Sequence, residues 1–192
     1  MEGLSETSSV GRRWPTSERV NVGVVERTMG SSMNDSPQLS DRFLQVDLTT
    51  APLDVAAFYD SLLRKDCGAV VVFSGTVRDF SEDRTGVLAL NYEAYEEPAR
   101  RRLEAIGYQI FQRFRGVRAV SLVHRLGSMV PTESTVMVGV ASHHRGDAFE
   151  AARYGIDTLK TSVPIWKQEV WGENVSWGLG ASPISEVEDQ ND

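Results

Sequence analysis

The chain has 192 residues, of which 41% are hydrophobic and 24% charged, the make-up of a globular protein rather than a collagenous or wholly disordered one. Its 20 basic and 27 acidic residues give a net charge of −7, which argues against non-specific nucleic-acid binding, and no apolar run approaches the ~18 residues that cross a membrane. A single cysteine, Cys67, excludes an internal disulfide framework and a cysteine-only zinc site and fits a reducing cytoplasm.

Residues 1–42 read as a disordered extension. They hold 11 Ser or Thr among scattered Gly, Pro and charge, too little apolar surface to offset the entropy of ordering, and they lack the apolar core of a signal peptide. A compact domain is expected over 43–181, and a disordered acidic tail over 182–192. Thr49-Thr50-Ala51-Pro52 opens the first predicted helix, with Thr as cap and Pro in the first turn, running to about Lys65. Ala69–Phe73 is a β-branched run expected as a buried strand, ended by Gly75-Thr76-Val77-Arg78. Asp79–Gly86 has the composition of an exposed loop. Leu88–Tyr95 alternates as a strand, and Glu97-Pro98 starts a second helix carried by Leu103, Ile106, Ile110 and Phe111. Val117–His124 and Thr135–Ala141 are two further strands. Asp147 and Glu150 have capping-box spacing and open a third helix, which Pro164 ends. Ile165–Trp171 and Val175–Trp177 complete the set as short strands. The order α-β-β-α-β-β-α-β-β predicts an α+β fold with three main helices and a mostly antiparallel sheet.

Three segments carry chemistry. His143-His144-Arg145-Gly146-Asp147 lies at a strand-to-helix junction, where free amides bind anions and Arg145 adds a forked donor; such junctions also collect polar residues for no chemical reason. Arg78, at the end of the buried run, is either a second cation for a ligand beyond the strand end or a solvated terminus. Lys160 and Lys167 stand seven apart in a chain with 17 Arg and only 3 Lys. A lysine kept against such a bias points to a need for an amine. Lys160 also suits a helix C-terminus as a plain cation. Lys167, beside Trp166, is either a partly desolvated nucleophile or base or a snorkelling strand residue. Cys67 is read as small-residue packing with no histidine near it, and His124 as a structural histidine. Tyr92, Tyr95 and Trp171 are read as core or interface, and three histidines give no metal-ligand spacing.

Taken in order, Phe73-Ser74-Gly75-Thr76-Val77-Arg78, Leu90-Asn91-Tyr92-Glu93-Ala94-Tyr95, His124-Arg125-Leu126-Gly127, His144-Arg145 and Leu159-Lys160-Thr161…Pro164-Ile165-Trp166-Lys167-Gln168-Glu169 resemble the large, catalytic subunit of molybdopterin synthase over roughly 43–178. The resemblance implies an α/β-hammerhead fold and a sulfur transferase that converts cyclic pyranopterin monophosphate to molybdopterin, with no cofactor or metal of its own. It implies a small ubiquitin-like subunit bearing a C-terminal thiocarboxylate as sulfur donor, and a central dimer of large subunits making a heterotetramer. By that analogy Arg78, His144 and Arg145 bind the substrate phosphate, Lys160 is catalytic with Lys167 assisting, and Thr76, Val77, Gln168 and Glu169 line the pocket. Two departures stand out: Thr132 precedes Glu133 where the family often has Gly, and 176–181 lacks an Arg found there in some members. A non-catalytic, dimeric anion- or nucleotide-binding regulatory module would need Arg78 and Arg145 but be indifferent to Lys160. A pure scaffold for a ubiquitin-like partner would be indifferent to every cation.

Overall fold

The computed structural model describes residues 42–81 and 84–177. The expectations for the extension through Asp41, and for the chain from Gly178 onward, fall outside them. The described elements are β1 (Phe43–Thr49), α1 (Val55–Leu62), β2 (Ala69–Thr76), β3 (Phe80–Ser81), β4 (Arg84–Thr85), β5 (Ala89–Ala94), α2 (Glu96–Arg113), β6 (Val117–Arg125), β7 (Gly127–Met129), β8 (Ser134–Ser142), α3 (Arg145–Ser162), β9 (Ile165–Trp171) and β10 (Asn174–Trp177). One sheet runs β1-β6-β8-β2 and a second β10-β9-β5-β7, with β3 and β4 as a small separate hairpin. Only β1 with β6 is parallel among these pairs, so the α+β, mostly antiparallel expectation holds.

The first sheet is buried on both faces because β6 and β8 are apolar at every phase of the pleat. Val120, Leu122, Val136, Val138 and Val140 meet α2 and α3 on one side. Ala119, Val123, Met137 and Ala141 meet Phe58 and Leu62 of α1 on the other. α1 comes close because residue 139 is glycine: a Cβ there would overlap the Leu62 and Phe58 side chains. Ala148, Ala151, Ala152, Gly155, Ile156 and Leu159 give α3 one small-residue face, which lets it lie flat on the sheet and fixes where both its ends fall.

Several elements depart from the sequence reading. β1 was not anticipated, although Leu44 and Val46 alternate inward along it. Because β1 runs through Thr49, paired with Arg125, the first helix cannot start there. Thr49 Oγ1 instead accepts the Ala51 N–H, and Asp54 caps the helix by accepting from Ala56 and Ala57. α1 ends at Leu62, short of Lys65. α3 begins earlier than expected, at Arg145, with His144 in the capping position and no side-chain cap bond. Asp147 lies within the first turn, and its carboxylate accepts the Gly116 N–H at 3.1 Å. β2 is an edge strand with half-buried side chains rather than a buried one.

Candidate active site

A cavity of about 300 Å³ opens where the end of β2, the second sheet and the C-terminus of α3 meet, lined by Thr76, Arg78, Phe80, Val87, Leu90, Tyr92, Lys160, Lys167 and Glu169. Each side chain arrives for a local reason. β2 ends in a bulge at Gly75/Thr76, which turns the following Arg78 off the sheet so that its guanidinium lies 4.7 Å over the Phe80 ring. Pro164 stops α3 two residues after Ser162, leaving Lys160 in the last turn at the cavity edge. On β9, alternation sends Lys167 and Glu169 to one face and Gln168 to the other, and Lys167 Nζ sits 2.8 Å from Glu169 Oε1. Glu169 is buried, so this pair holds Lys167 in place. Among the described residues no acidic side chain pairs with Lys160, whose amine is exposed.

The cavity thus brings together five of the nine residues expected at the site. Val77 is 2% exposed and packs with Val87, Leu90 and Met129 behind the lining, and Gln168 is turned to the other face of its sheet. His144 and Arg145 are exposed at the N-terminus of α3. At 1.5 Å per residue they lie roughly 22 Å along the helix from Lys160, so one chain does not bring them to its own cavity.

Tyr92, expected in the core or at an interface, lines the cavity opposite Lys167 in the β5–β9 register. Leu90, two residues before it, shares its face, a signal the alternation of this strand contained. Burial and the nearby Glu169 carboxylate push the Tyr92 phenol up, while a hydrogen bond with Thr135 opposes them. His124 is structural, as expected: it is buried, its Nδ1 lies 2.9 Å from the Arg125 carbonyl, and its ring meets Tyr92 edge-on at 4.9 Å.

Burial pushes the His124 imidazole down from 6.5 to about 4. Between those values the unfolded chain binds a proton that the folded chain does not, so stability is full above the unfolded value and falls as pH drops toward 4. The expected loss is about 3 kcal/mol, levelling off below pH 4 for this group. Denaturant midpoints measured against pH should show it, and His124→Gln should flatten that slope.

Cys67 is half-buried rather than buried, against Phe58 and Leu62. Space brings a histidine closer than sequence does: His143 Nε2 is 3.6 Å from Asp66 Oδ2, beside Cys67. The thiol is nevertheless pushed up by burial and by the Asp66 charge, away from the reactive thiolate. Among the described residues no group of three or more His, Cys, Asp or Glu stands where it could hold a metal ion.

Comparison with known proteins gives a consistent set of likenesses. The family described as MoaE protein matches residues 48–162. A molybdopterin synthase catalytic subunit from Oryza sativa subsp. indica is 42% identical over 132 residues, covering 69% of this chain and 67% of the relative. One from Staphylococcus carnosus is 38% identical over 135 residues, covering 69% of this chain and 87% of the relative. The crystal structure of molybdopterin synthase from Staphylococcus aureus superposes with a TM-score of 0.65 at 34% identity, covering 68% of this chain and 94% of that one.

Proposed function

Because the chain belongs to the MoaE family, we propose that its lysine-bearing cavity is the sulfur-transfer site of a molybdopterin synthase catalytic subunit, acting in molybdenum cofactor biosynthesis. The reaction converts cyclic pyranopterin monophosphate to molybdopterin, with a thiocarboxylated, ubiquitin-like small subunit as the sulfur donor. One observation carries the reading: Arg78, Lys160 and Lys167, from three separate elements, converge on one cavity whose lining among the described residues holds a single acid, Glu169, in a chain of net charge −7. Substrate phosphate and donor thiocarboxylate are both anions, and such a pocket concentrates them against the charge of the whole molecule.

The roles follow from the side chains. Arg78 forks onto phosphate oxygens. Lys167, held by Glu169, receives the thiocarboxylate tail. Lys160, without an acidic partner among the described residues, polarises that group or takes protons as sulfur attacks the pterin. Thr76 and Glu169 line the pocket, and Val77 and Gln168 shape its wall from behind.

His144 and Arg145 serve the cavity of a second copy. β2 is an open edge, and its Ala69 end adjoins Ser142, three residues before Arg145. Antiparallel pairing of two β2 strands turns the second copy end for end, so its Arg145 end meets the Thr76–Arg78 end of the first. Eight residues of strand span roughly 26 Å, close to the length of α3 between Arg145 and Lys160. A two-fold dimer therefore completes two cavities at once.

A single cysteine fits a reducing cytoplasm as its place. Burial and the Asp66 charge push the Cys67 thiol up, which makes it a poor sulfur carrier and agrees with an external donor. Cys67→Ala is expected to form molybdopterin at the wild-type single-turnover rate when given the thiocarboxylated small subunit. Loss of transfer with an intact fold would put the sulfur on this chain and overturn the external-donor reading.

A further inference from the structure

Thr132 has φ +81°, in the left-handed region that β-branched residues avoid. It lies in the turn between β7 and β8, and that turn grips the site. The Thr132 N–H donates to the Val77 carbonyl at 2.8 Å, and the Val77 N–H donates to the Glu133 carbonyl at 2.9 Å. Val77 is thus pinned through both backbone groups, and it stands between Thr76 and Arg78, which line the cavity.

The turn is itself held by a carboxylate. Glu133 Oε1 accepts from Arg125 Nη1 at 2.8 Å and Oε2 accepts from the Val130 N–H at 2.8 Å. The Arg125 side chain is only 11% exposed and that of Glu133 33% exposed, so solvent screens the pair only in part. Arg125 also follows His124, whose ring meets Tyr92 on the opposite wall of the cavity. Strained backbone of this kind persists where its surroundings over-determine it, and here the surroundings are one ion pair and four hydrogen bonds, the fourth from the Glu133 N–H to the Val130 carbonyl at 3.1 Å.

We propose that Arg125 and Glu133 are positioning residues: their ion pair holds Thr132 in its left-handed conformation, which fixes Val77 and so aims Arg78 into the cavity. The proposal rests on the reading that Arg78 binds the substrate phosphate, and the test reads that separately. Substrate Kd and single-turnover rate are measured on the complex with the thiocarboxylated small subunit, using cyclic pyranopterin monophosphate. Arg78→Ala alone reports on the phosphate reading: an unchanged Kd there defeats that reading whatever Glu133 does.

Glu133→Gln keeps the shape and loses the charge. It is expected to raise Kd about tenfold or more, the order of one charge-assisted bond lost, with the rate at saturation changed less than about twofold. In the Arg78→Ala background the same substitution should add nothing, because the two act through one contact. Thr132→Gly, which adopts this φ without strain, should raise Tm by a few degrees, leave Kd unchanged, and restore the affinity of Glu133→Gln when the two are combined. Should Glu133→Gln not fold, Arg125→Lys is the milder arm, with the same expectations. An equal loss of affinity with and without Arg78, a fall in rate at unchanged Kd, or failure of Thr132→Gly to rescue would each overturn the proposal.

Discussion

Lys160→Arg is expected to lower the single-turnover rate of molybdopterin formation by ~10² or more, the usual scale for losing acid–base catalysis, with substrate Kd changed little. The substitution keeps the positive charge and nearly the reach, so anything the residue does by charge alone survives. A guanidinium stays protonated at any working pH and spreads its charge over a plane, whereas an amine is compact and can give up a proton. The surroundings sharpen the contrast with Lys167, which is tied to buried Glu169 at 2.8 Å, while Lys160 has no acidic partner among the described residues. Normal turnover in Lys160→Arg, with the fold confirmed by circular dichroism, would reduce Lys160 to a cation at a helix end and make Lys167 the catalytic amine. A regulatory anion-binding module would show the same indifference.

Mixing two defective variants should restore activity at low substrate. Lys160→Ala removes the amine from every cavity. Arg145→Ala removes the proposed phosphate contact from every cavity and should weaken substrate binding by ~1.5–3 kcal/mol, the scale of a charge-assisted hydrogen bond. If Arg145 serves the cavity of its partner copy, a mixed dimer carries one cavity with both defects and one with neither. Random pairing then leaves about a quarter of all cavities intact, and the mixture at low substrate should approach that fraction of wild-type activity. If both residues serve the same cavity of one chain, every cavity stays defective and mixing restores nothing. Co-expression of the two variants followed by steady-state assay distinguishes the outcomes.

What the sequence made legible was what short-range pattern encodes. The helical spacing of Leu103, Ile106 and Ile110, the apolar run from Ala69 and the break at Pro164 each specify an element with little help from the rest of the chain. The positions that misled are those where two residues compete for one role and distant contacts decide. Thr49 and Asp54 are both good helix caps, and Asp54 takes the role because Thr49 is committed to the pairing of β1 with β6. Asp147 has a capping side chain, but the Gly116 N–H claims it. The same holds for the site: the cationic residues were visible as types, while the separation of Arg145 from Lys160 followed only once α3 was one straight helix of 18 residues. Tyr92 could be placed at the cavity only when the register opposite Lys167 was known.

The parallel pairing of β1 with β6 also sets an order of assembly. Phe43 pairs with Ala119, a residue far along the chain, whereas β6 and β8 are near neighbours in sequence and exchange the most extensive antiparallel contacts of the sheet. Loops of the shorter kind close first. During synthesis at roughly 5–20 residues per second, β1 waits several seconds for its partner to be made. The strand translated earliest among those described therefore joins its sheet only after β6 is made, at the edge opposite β2. The β2 edge waits for β8, and the cavity waits for β9, the strand that carries Lys167 and Glu169, so the site is completed only after the β1 side of the sheet has its partner.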